Sequence, residues 1–283
     1  MALFSLLIAI MVERLKLLPA SWQFDSMLAK YQSLFWKDKQ LDSAIWVSVV
    51  ILIPAVMIFL LLALLDGLVY DLLTLLLWVA ISILCFSHQT LRNNFKKYML
   101  AACRGDVQAC YHYAESLDCA ECLDAIDEKD LGQQIGKTVA WVNYRYYGAV
   151  ALFLIFFGPV GAVLYCTVRF YDQHNQLNQL NMPFISRLLF LLDWLPSRIF
   201  SFGFVLSGHF ASGIAEWRKQ VFSASNHAKN IVTRTAIAAE SIPESTSAPV
   251  CVQPTLALLA LSKRNFILLL TVLSVLTIFG VVS

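Results

Sequence analysis

The sequence predicts an all-α, polytopic membrane protein, and three observations support this fold class. Hydrophobic residues make up 59% of the 283 residues and charged residues only 14%, whereas about a quarter of an ordinary soluble domain is charged. Several apolar runs reach the ~20 residues that a helix needs to cross a bilayer. The segments between them show apolar spacing near that of a helix and few strand signals.

Four apolar runs predict transmembrane helices. The first, residues 44–65, carries no charge, and its Pro54 is tolerable because neighbouring helices can satisfy the freed carbonyl. Asp66-Gly67 then predicts a turn before the second run, 68–86, so that 44–86 forms a transmembrane hairpin. The third run, 147–168, contains Gly158-Pro159, which predicts a kink. The fourth covers 265–283 at the end of the chain.

Two further segments are ambiguous. Residues 2–12 are apolar but too short to span a bilayer, and Glu13 and Arg14 follow at once. This order is opposite to that of a cleaved signal peptide, so we expect an interfacial helix. Residues 199–215 form a second, shorter apolar stretch after the polar residues 193–198, and the sequence leaves open whether they make a fifth crossing.

These predictions divide the chain into seven segments. They are an N-terminal interfacial and cytoplasmic segment (1–43), a transmembrane hairpin (44–86), a cytoplasmic helical loop (87–146), a third transmembrane helix (147–168), an amphipathic or membrane-dipping segment (169–239), a linker (240–264) and a C-terminal transmembrane helix (265–283).

The distribution of lysine and arginine predicts the orientation, since these residues collect in short cytoplasmic loops. Five lie in residues 13–43, and others flank the 87–146 segment at both ends. We therefore expect the N-terminus and the 87–146 segment to face the cytoplasm. A crossing over 147–168 would place Arg169 on the other side of the membrane.

The sequence contains two motifs with a weak likeness to known binding sites. Residues 132–138, Gly-Gln-Gln-Ile-Gly-Lys-Thr, are one residue short of a phosphate-binding loop and lack a preceding strand. Cys119-Ala120-Glu121-Cys122 has the spacing of half a zinc site, whereas a closed site needs four ligands. We interpret the first as part of a helix and the second as incidental, and we expect no metal and no cofactor.

Polar residues cluster at three membrane boundaries. Trp, Tyr and Arg often anchor helices at such boundaries, but ionisable residues at membrane depth more often mark function. Both interpretations stay open for these clusters, and no complete catalytic constellation stands out. The candidate ligand-binding residues are Glu13, Arg14, Asn143, Arg145, Arg169, Asp172, Asp193 and Arg198.

At these clusters the sequence resembles the AmpE family of bacterial inner-membrane proteins. The resemblance rests on residues 3–15, which end in Glu13-Arg14-Leu15, on 141–147 (Trp-Val-Asn-Tyr-Arg-Tyr-Tyr), on 169–172 (Arg-Phe-Tyr-Asp) and on 193–198 (Asp-Trp-Leu-Pro-Ser-Arg) followed by Gly208-His209. Their order and the C-terminal span agree as well. The resemblance therefore covers essentially the whole chain.

The resemblance implies an inner-membrane signalling or accessory protein linked to β-lactamase induction and muropeptide recycling, without an assigned reaction. Its implied partners are the lipid bilayer and a cell-wall-derived ligand or a protein, and the small net charge of +2 argues against nucleic acid. The family is remotely similar to the membrane synthases of cobalamin biosynthesis. Those enzymes carry carboxylates where this chain has Val142 and Tyr146, so their amide ligation is the alternative function rather than the expected one.

That alternative makes a geometric prediction. A membrane-embedded ligase or transferase acting on an amphipathic substrate would bring six polar residues together in one cavity, whereas anchoring residues would be dispersed. The six are Glu13, Asn143, Arg145, Asp172, Asp193 and Arg198.

Overall fold

The computed structural model describes residues 1–15, 19–35, 42–65, 71–117, 128–223, 226–240 and 252–280. All regular structure within these ranges is helical, which confirms the predicted fold class. The helices are α1 (Ala2–Leu15), α2 (Phe24–Phe35), α3 (Ala44–Leu65), α4 (Leu72–Phe86), α5 (Gln89–Arg104), α6 (Val107–Glu115), α7 (Glu128–Asn143), α8 (Ala149–Leu177), α9 (Ile185–Ser207), α10 (Phe210–Val221), α11 (Ala228–Ala239) and α12 (Gln253–Ile278). A short 3-10 turn at Ala20–Trp22 precedes α2, and a π-helical turn at Tyr144–Gly148 joins α7 to α8.

Five helical stretches among the described residues are long and apolar enough to cross a membrane, which agrees with a polytopic protein. They are Ala44–Leu65, Leu72–Arg104, Asp130–Leu177, Ile185–Ser207 and Gln253–Ile278. Helix α3 coincides with the first predicted span. Helix α12 begins at Gln253 rather than at 265, so the second half of the predicted linker is helical, while the predicted turn at Asp66-Gly67 lies outside the described residues.

The fifth crossing that the sequence left open is corrected by the structure. The polar residues 193–198, which include Pro196, do not interrupt the helix. They lie inside the continuous helix α9. The break comes later, at Gly208, where a Cβ atom would lie 2.2 Å from the carbonyl oxygen of Ala239. The candidate span is therefore 185–207 and not 199–215.

The chain forms two compact units. Unit 1 comprises Met1–His88, Ala149–Asp193 and Leu273–Ser283, and unit 2 comprises Gln89–Gly148 and Trp194–Val272.

In unit 1, helices α1, α2, α3 and α4 all pack on α8. Helix α1 buries Ala2, Leu6 and Ala9, which recur at the three- or four-residue spacing of one helical face, and this face packs on α4. The predicted N-terminal helix is therefore present and extends to Leu15, and its location in the membrane interface stays a prediction.

Helix α8 bends sharply at Gly158, where the sequence predicted a kink. Gly158 has φ 65° and ψ −162°, a conformation almost restricted to glycine, and Pro159 follows. The rings of Phe153 and Tyr165 stack with their centroids 4.8 Å apart, although twelve residues of straight helix would separate them by about 18 Å along the axis. Residues 147–168 are therefore helical but do not cross as one straight helix.

Unit 2 has a core of its own formed by α5, α6 and the first half of α7. Its largest fully buried members are Tyr98, Leu131 and Ile135. Helix α12 approaches α7 at Gly136, whose hypothetical Cβ atom would lie 2.8 Å from Leu258. It approaches α9 at Gly203, where the side chain of Asn265 fits against the backbone and donates to the carbonyl of Phe200 at 2.9 Å.

Candidate functional site

A buried ion pair joins α2 to α8 in unit 1. Nη2 of Arg169 donates to Oδ1 of Asp25 at 2.8 Å. The Arg169 side chain is completely buried, whereas that of Asp25 is 29% exposed. A buried guanidinium requires a charged or hydrogen-bonding partner, because removing it from water costs several kcal/mol. Asp25 supplies that partner from a helix far away in sequence.

The same carboxylate faces a histidine at the end of α4. Nδ1 of His88 lies 3.7 Å from Oδ2 of Asp25, and Nε2 of His88 lies 3.1 Å from the carbonyl oxygen of Cys85. The carbonyl can only accept, so Nε2 carries a proton and donates there. Asp25 on α2 thus contacts both Arg169 within α8 and His88 just after α4 through its two oxygens.

A second carboxylate lies one helical turn after Arg169. Asp172 is buried and accepts hydrogen bonds from Ser186 Oγ at 2.8 Å and from Gln176 Nε2 at 2.9 Å. Ser186 belongs to the first turn of α9, so this bond fixes the start of α9 against α8. We call Asp25, His88, Arg169, Asp172 and Ser186 the polar cluster.

The polar cluster bears on the expected position of Arg169 relative to the membrane. Asp25 comes before α3 and His88 comes after α4, and Arg169 contacts Asp25. The bend at Gly158 redirects α8 before it reaches Arg169. The side of the membrane on which Arg169 lies stays a prediction.

Asp193 has a different environment within unit 1. Its Oδ1 atom accepts a hydrogen bond from the hydroxyl of Tyr165 at 2.9 Å, and the side chain is 4% exposed. A carboxylate buried in an apolar helix is costly unless it is hydrogen-bonded. Tyr165 therefore explains how Asp193 is accommodated inside a candidate span.

The remaining unit 1 candidates are Glu13 and Arg14, in the last turn of α1. The Glu13 side chain is partly exposed and that of Arg14 is exposed. The arginine is suitably placed for a helix C-terminus, where a positive charge offsets the helix dipole.

In unit 2, Arg198 holds the end of another helix. Its Nε and Nη2 atoms donate to the carbonyls of Val221 and Ser223 at 3.1 and 2.9 Å, and Nη1 donates to the carbonyl of Trp194 at 2.7 Å. The guanidinium also lies 4.1 Å from the centroid of the Trp194 ring. The carbonyls after α10 are those that a helix leaves unpaired. Arg198 therefore acts as a side-chain cap for α10.

Helix α10 has one perturbed carboxylate outside the candidate spans. Gln220 donates to Glu216 at 3.0 Å and, with Lys219, holds the pKa of the Glu216 carboxyl below its ordinary value. This local arrangement is typical of an exposed helical face.

The other two candidates in unit 2 belong to the π-helical junction. Asn143 donates to the carbonyl of Val139 at 2.8 Å, one turn back in its own helix. Arg145 is 7% exposed and its guanidinium lies 5.8 Å from the centroid of the Trp141 ring. π-helical turns often occur at functional sites, so Arg145 keeps its place among the candidates.

The two weak motifs have different outcomes. Residues 132–138 lie inside α7, where helical hydrogen bonding leaves no loop of free backbone amides to hold a phosphate. Cys119 and Cys122 lie outside the described residues. Within the described part of the chain, no group of three or more His, Cys, Asp and Glu side chains could hold a metal ion.

Sequence reasoning selected Arg169 and Asp172 but missed three of their partners: Asp25, His88 and Ser186. None of these partners belongs to a polar cluster that the sequence analysis selected. One weak signal was present, because His88 directly follows an apolar span and Asp25 begins an amphipathic helix. Neither position indicates which distant residue it contacts.

The fold and the polar cluster define a class of protein: a multi-pass α-helical membrane protein with buried charges that its own helices pair. A family model described as "Regulatory signalling modulator protein AmpE" matches residues 1–283. The chain belongs to the AmpE family. It is similar to Protein AmpE of Shigella flexneri, with 27% identity over 295 residues that cover 99% of each chain. No solved structure matches it.

Proposed function

We propose that this chain is a non-enzymatic regulatory protein of the bacterial inner membrane, linked to β-lactamase induction and to the recycling of muropeptides. The family's description as a regulatory signalling modulator supports the regulatory part. The proposal places the N-terminus in the cytoplasm, because the N-terminal segment is rich in lysine and arginine. The protein would respond to a cell-wall-derived ligand or to a protein partner.

The observation that carries this proposal is the unequal exposure of the ion pair. Arg169 is fully buried, while the carboxylate of Asp25 is partly open. A ligand or partner that contacts Asp25 or displaces α2 would change the hydrogen bonding of Arg169 and His88. Such a cluster suits a two-state response, in which a local charge change biases the packing of several helices.

The same geometry favours a signalling role over a catalytic role. A general acid or base must come within hydrogen-bond reach of a reacting atom. In the polar cluster, Asp172 is buried and accepts two protein donors, and Arg169 has no exposed surface. These groups are arranged to hold helices together.

The alternative is a membrane-embedded ligase or transferase, and one observation favours it. Arg169 and Asp172 come together in unit 1 with Asp25 and His88, which gives a dense group of ionisable side chains. However, Asn143, Arg145 and Arg198 belong to unit 2, and Arg198 is occupied as a helix cap. Unit 1 therefore contains only some of the six residues that this alternative requires in one cavity.

The experiment measures β-lactamase induction in a bacterium that has an inducible β-lactamase and from which its own AmpE-family gene has been deleted. Plasmids would supply the wild-type chain, Asp25→Asn, Arg169→Gln or the control Asp42→Asn, an exposed aspartate. We expect the two cluster variants to lose at least half of the wild-type effect on induction at equal membrane abundance, and the control to retain it. Equal induction with and without the wild-type chain would contradict the proposal.

A second measurement separates the two functions. Purified protein would be incubated with an anhydro-muropeptide or with cobyric acid, an aminopropanol and ATP, and the products followed by mass spectrometry. We expect no turnover above the level of a heat-denatured sample. Catalytic turnover that Asp172→Asn abolishes would instead establish the alternative.

A further inference from the structure

Helix α2 has three faces, and the first of them packs against the protein. At ~100° per residue, Asp25, Leu28 and Gln32 project on the same side. Leu28 and Gln32 are 4% and 5% exposed, and Nε2 of Gln32 lies 2.6 Å from Nε2 of His174 on α8. Together with the Asp25–Arg169 pair, these contacts fix the position and rotation of α2 against α8.

The second face of α2 is apolar and uncovered. Met27, Leu34 and Phe35 are 47%, 78% and 69% exposed, and the partly exposed Phe24 and Tyr31 lie between them on the helical surface. This face is contiguous and lies to one side of the protein-facing residues.

The third face of α2 is small and polar. It consists of Ser26, Ala29, Lys30 and Ser33, of which the last three are exposed. The helix therefore has separate protein-facing, apolar and polar sides. A helix that rests on a membrane surface needs one apolar side toward the acyl chains and one polar side toward water.

The position of α2 identifies what covers the apolar face. Arg169 is the first charged residue after the apolar run of α8, and His88 follows the apolar helix α4, so α2 lies where these two apolar runs end. Helix α3 begins soon afterwards with an exposed apolar surface, including Ile45 (74%) and Trp46 (44%). Trp22, just before α2, is 62% exposed, and tryptophan is enriched at membrane interfaces. Exposed apolar residues therefore precede and follow α2 in the chain.

We propose that α2 is a membrane-surface helix, with Met27, Leu34 and Phe35 immersed in the interfacial region of the phospholipid bilayer. Its polar third face lies toward the water, and its first face, with Asp25, Leu28 and Gln32, closes on the polar cluster. The bilayer then helps to hold Asp25 against Arg169, so the lipid surface and the polar cluster are mechanically connected through one helix.

The test measures the depth of single spin labels in the full-length protein reconstituted into phosphatidylcholine–phosphatidylglycerol nanodiscs. Cysteine would be introduced at Leu34, at Met27 and at the adjacent control position Ser33. The background would carry Cys103, Cys119, Cys122 and Cys251 as serine and keep the buried Cys85, Cys110 and Cys166. Labelling of this background without an added cysteine gives the baseline to subtract.

We expect Leu34→Cys and Met27→Cys labels to collide mainly with oxygen, which partitions into lipid. The Ser33→Cys label, one residue away, should collide mainly with a water-soluble nickel chelate. The ratio of the two collision rates should differ at least threefold between Leu34→Cys and Ser33→Cys. Equal, water-like accessibility at all three positions would overturn the proposal and would mean that water covers this face. If Leu34→Cys does not fold, Met27→Cys against Ser33→Cys decides the question.

Discussion

Asp25 on α2 and Arg169 on α8 form an ion pair of 2.8 Å although they lie 144 residues apart in the chain. The pair joins a short helix near the N-terminus to the far arm of the bent helix α8. It also places His88 against the same carboxylate. Asp25 therefore links α2 both to α8 and to the histidine that follows α4.

Replacing Asp25 by asparagine should destabilise the protein, because it removes the negative charge that pairs with the buried guanidinium of Arg169. Breaking a fully buried pair costs ~3–5 kcal/mol, and we expect about 2–3 kcal/mol here because the Asp25 side chain is 29% exposed. Thermal unfolding in detergent measures the change.

The matched control for this substitution is Asp42→Asn, at an exposed position, which should change stability by no more than ~0.5 kcal/mol. An Asp25→Asn variant as stable as this control would show that the ion pair contributes nothing. The double variant Asp25→Asn/Arg169→Leu should recover part of the loss, since the buried guanidinium is removed together with its partner's charge.

Replacing Gly158 by alanine should destabilise unit 1 through two effects. The backbone at φ 65° and ψ −162° is nearly closed to other residues, at a cost of ~1–3 kcal/mol. The new Cβ atom would also lie 3.1 Å from the Trp78 ring. Gly105→Ala is the control, because Gly105 has φ +73° but open space around it, and it should cost only about 1 kcal/mol. Equal melting temperatures for the two variants would contradict the predicted role of the bend.

The bend also predicts on which side of the membrane the end of α8 lies. Leu177 follows Arg169 on the same helix and is 73% exposed, and Ser33 lies near the end of α2. We expect a membrane-impermeant maleimide to label Leu177→Cys and Ser33→Cys from the same side of sealed vesicles. Labelling from opposite sides would show that α8 crosses between them, as the apolar run alone suggested.

The fold class and the most apolar helix could be predicted from sequence because hydropathy is a local property. The run 44–65 has no charge and became α3 without change. Helix α9 could not be predicted in this way, since Asp193 and Arg198 interrupt its apolar run. Those charges are tolerated only because Tyr165 and the carbonyls of Val221 and Ser223 satisfy them. Such partners are distant in sequence, so no local pattern reveals them.

Only part of the candidate site could be predicted from the sequence, for the same reason. Arg169 and Asp172 stand one turn apart on an apolar helix, and this local pattern marks them as unusual. Asp25 and His88 join them only through tertiary packing. The glycine at 158 predicted a kink, but the size of the bend follows from the contact of Phe153 with Tyr165.

Gly136 should tolerate no larger side chain, since α12 approaches α7 there. A Cβ atom at this position would lie 2.8 Å from Leu258 and 3.2 Å from the carbonyl oxygen of Pro254, and small residues permit such close approach of membrane helices. Gly136→Val should cost ~1–3 kcal/mol through overpacking. Thermal unfolding of the purified variant measures this loss.

The neighbouring Lys137 supplies the control for that measurement, because a nucleotide site would depend on it. Its Nζ atom donates to Gln134 at 3.1 Å on the same helix. We expect Lys137→Met to change stability by no more than ~0.5 kcal/mol, and ATP to leave the melting temperature of the wild-type chain unchanged. An increase with ATP that Lys137→Met removes would contradict the helical packing role of residues 132–138.

Arg198 should prove to be a structural residue, although its sequence context made it a candidate ligand contact. Its three donors satisfy carbonyls of Trp194, Val221 and Ser223, and hydrogen bonds from a charged group contribute ~1.5–3 kcal/mol each. Removing the donors together leaves acceptors that water can partly satisfy, so we expect Arg198→Ala to cost about 2–4 kcal/mol. Arg198→Lys should recover less than half of this loss, since an ammonium cannot reproduce the planar fork of the guanidinium. The β-lactamase induction assay then separates the roles: at matched membrane abundance, Arg198→Lys should retain the wild-type effect. A loss of induction in a variant that is stable and abundant would return Arg198 to the candidate binding residues.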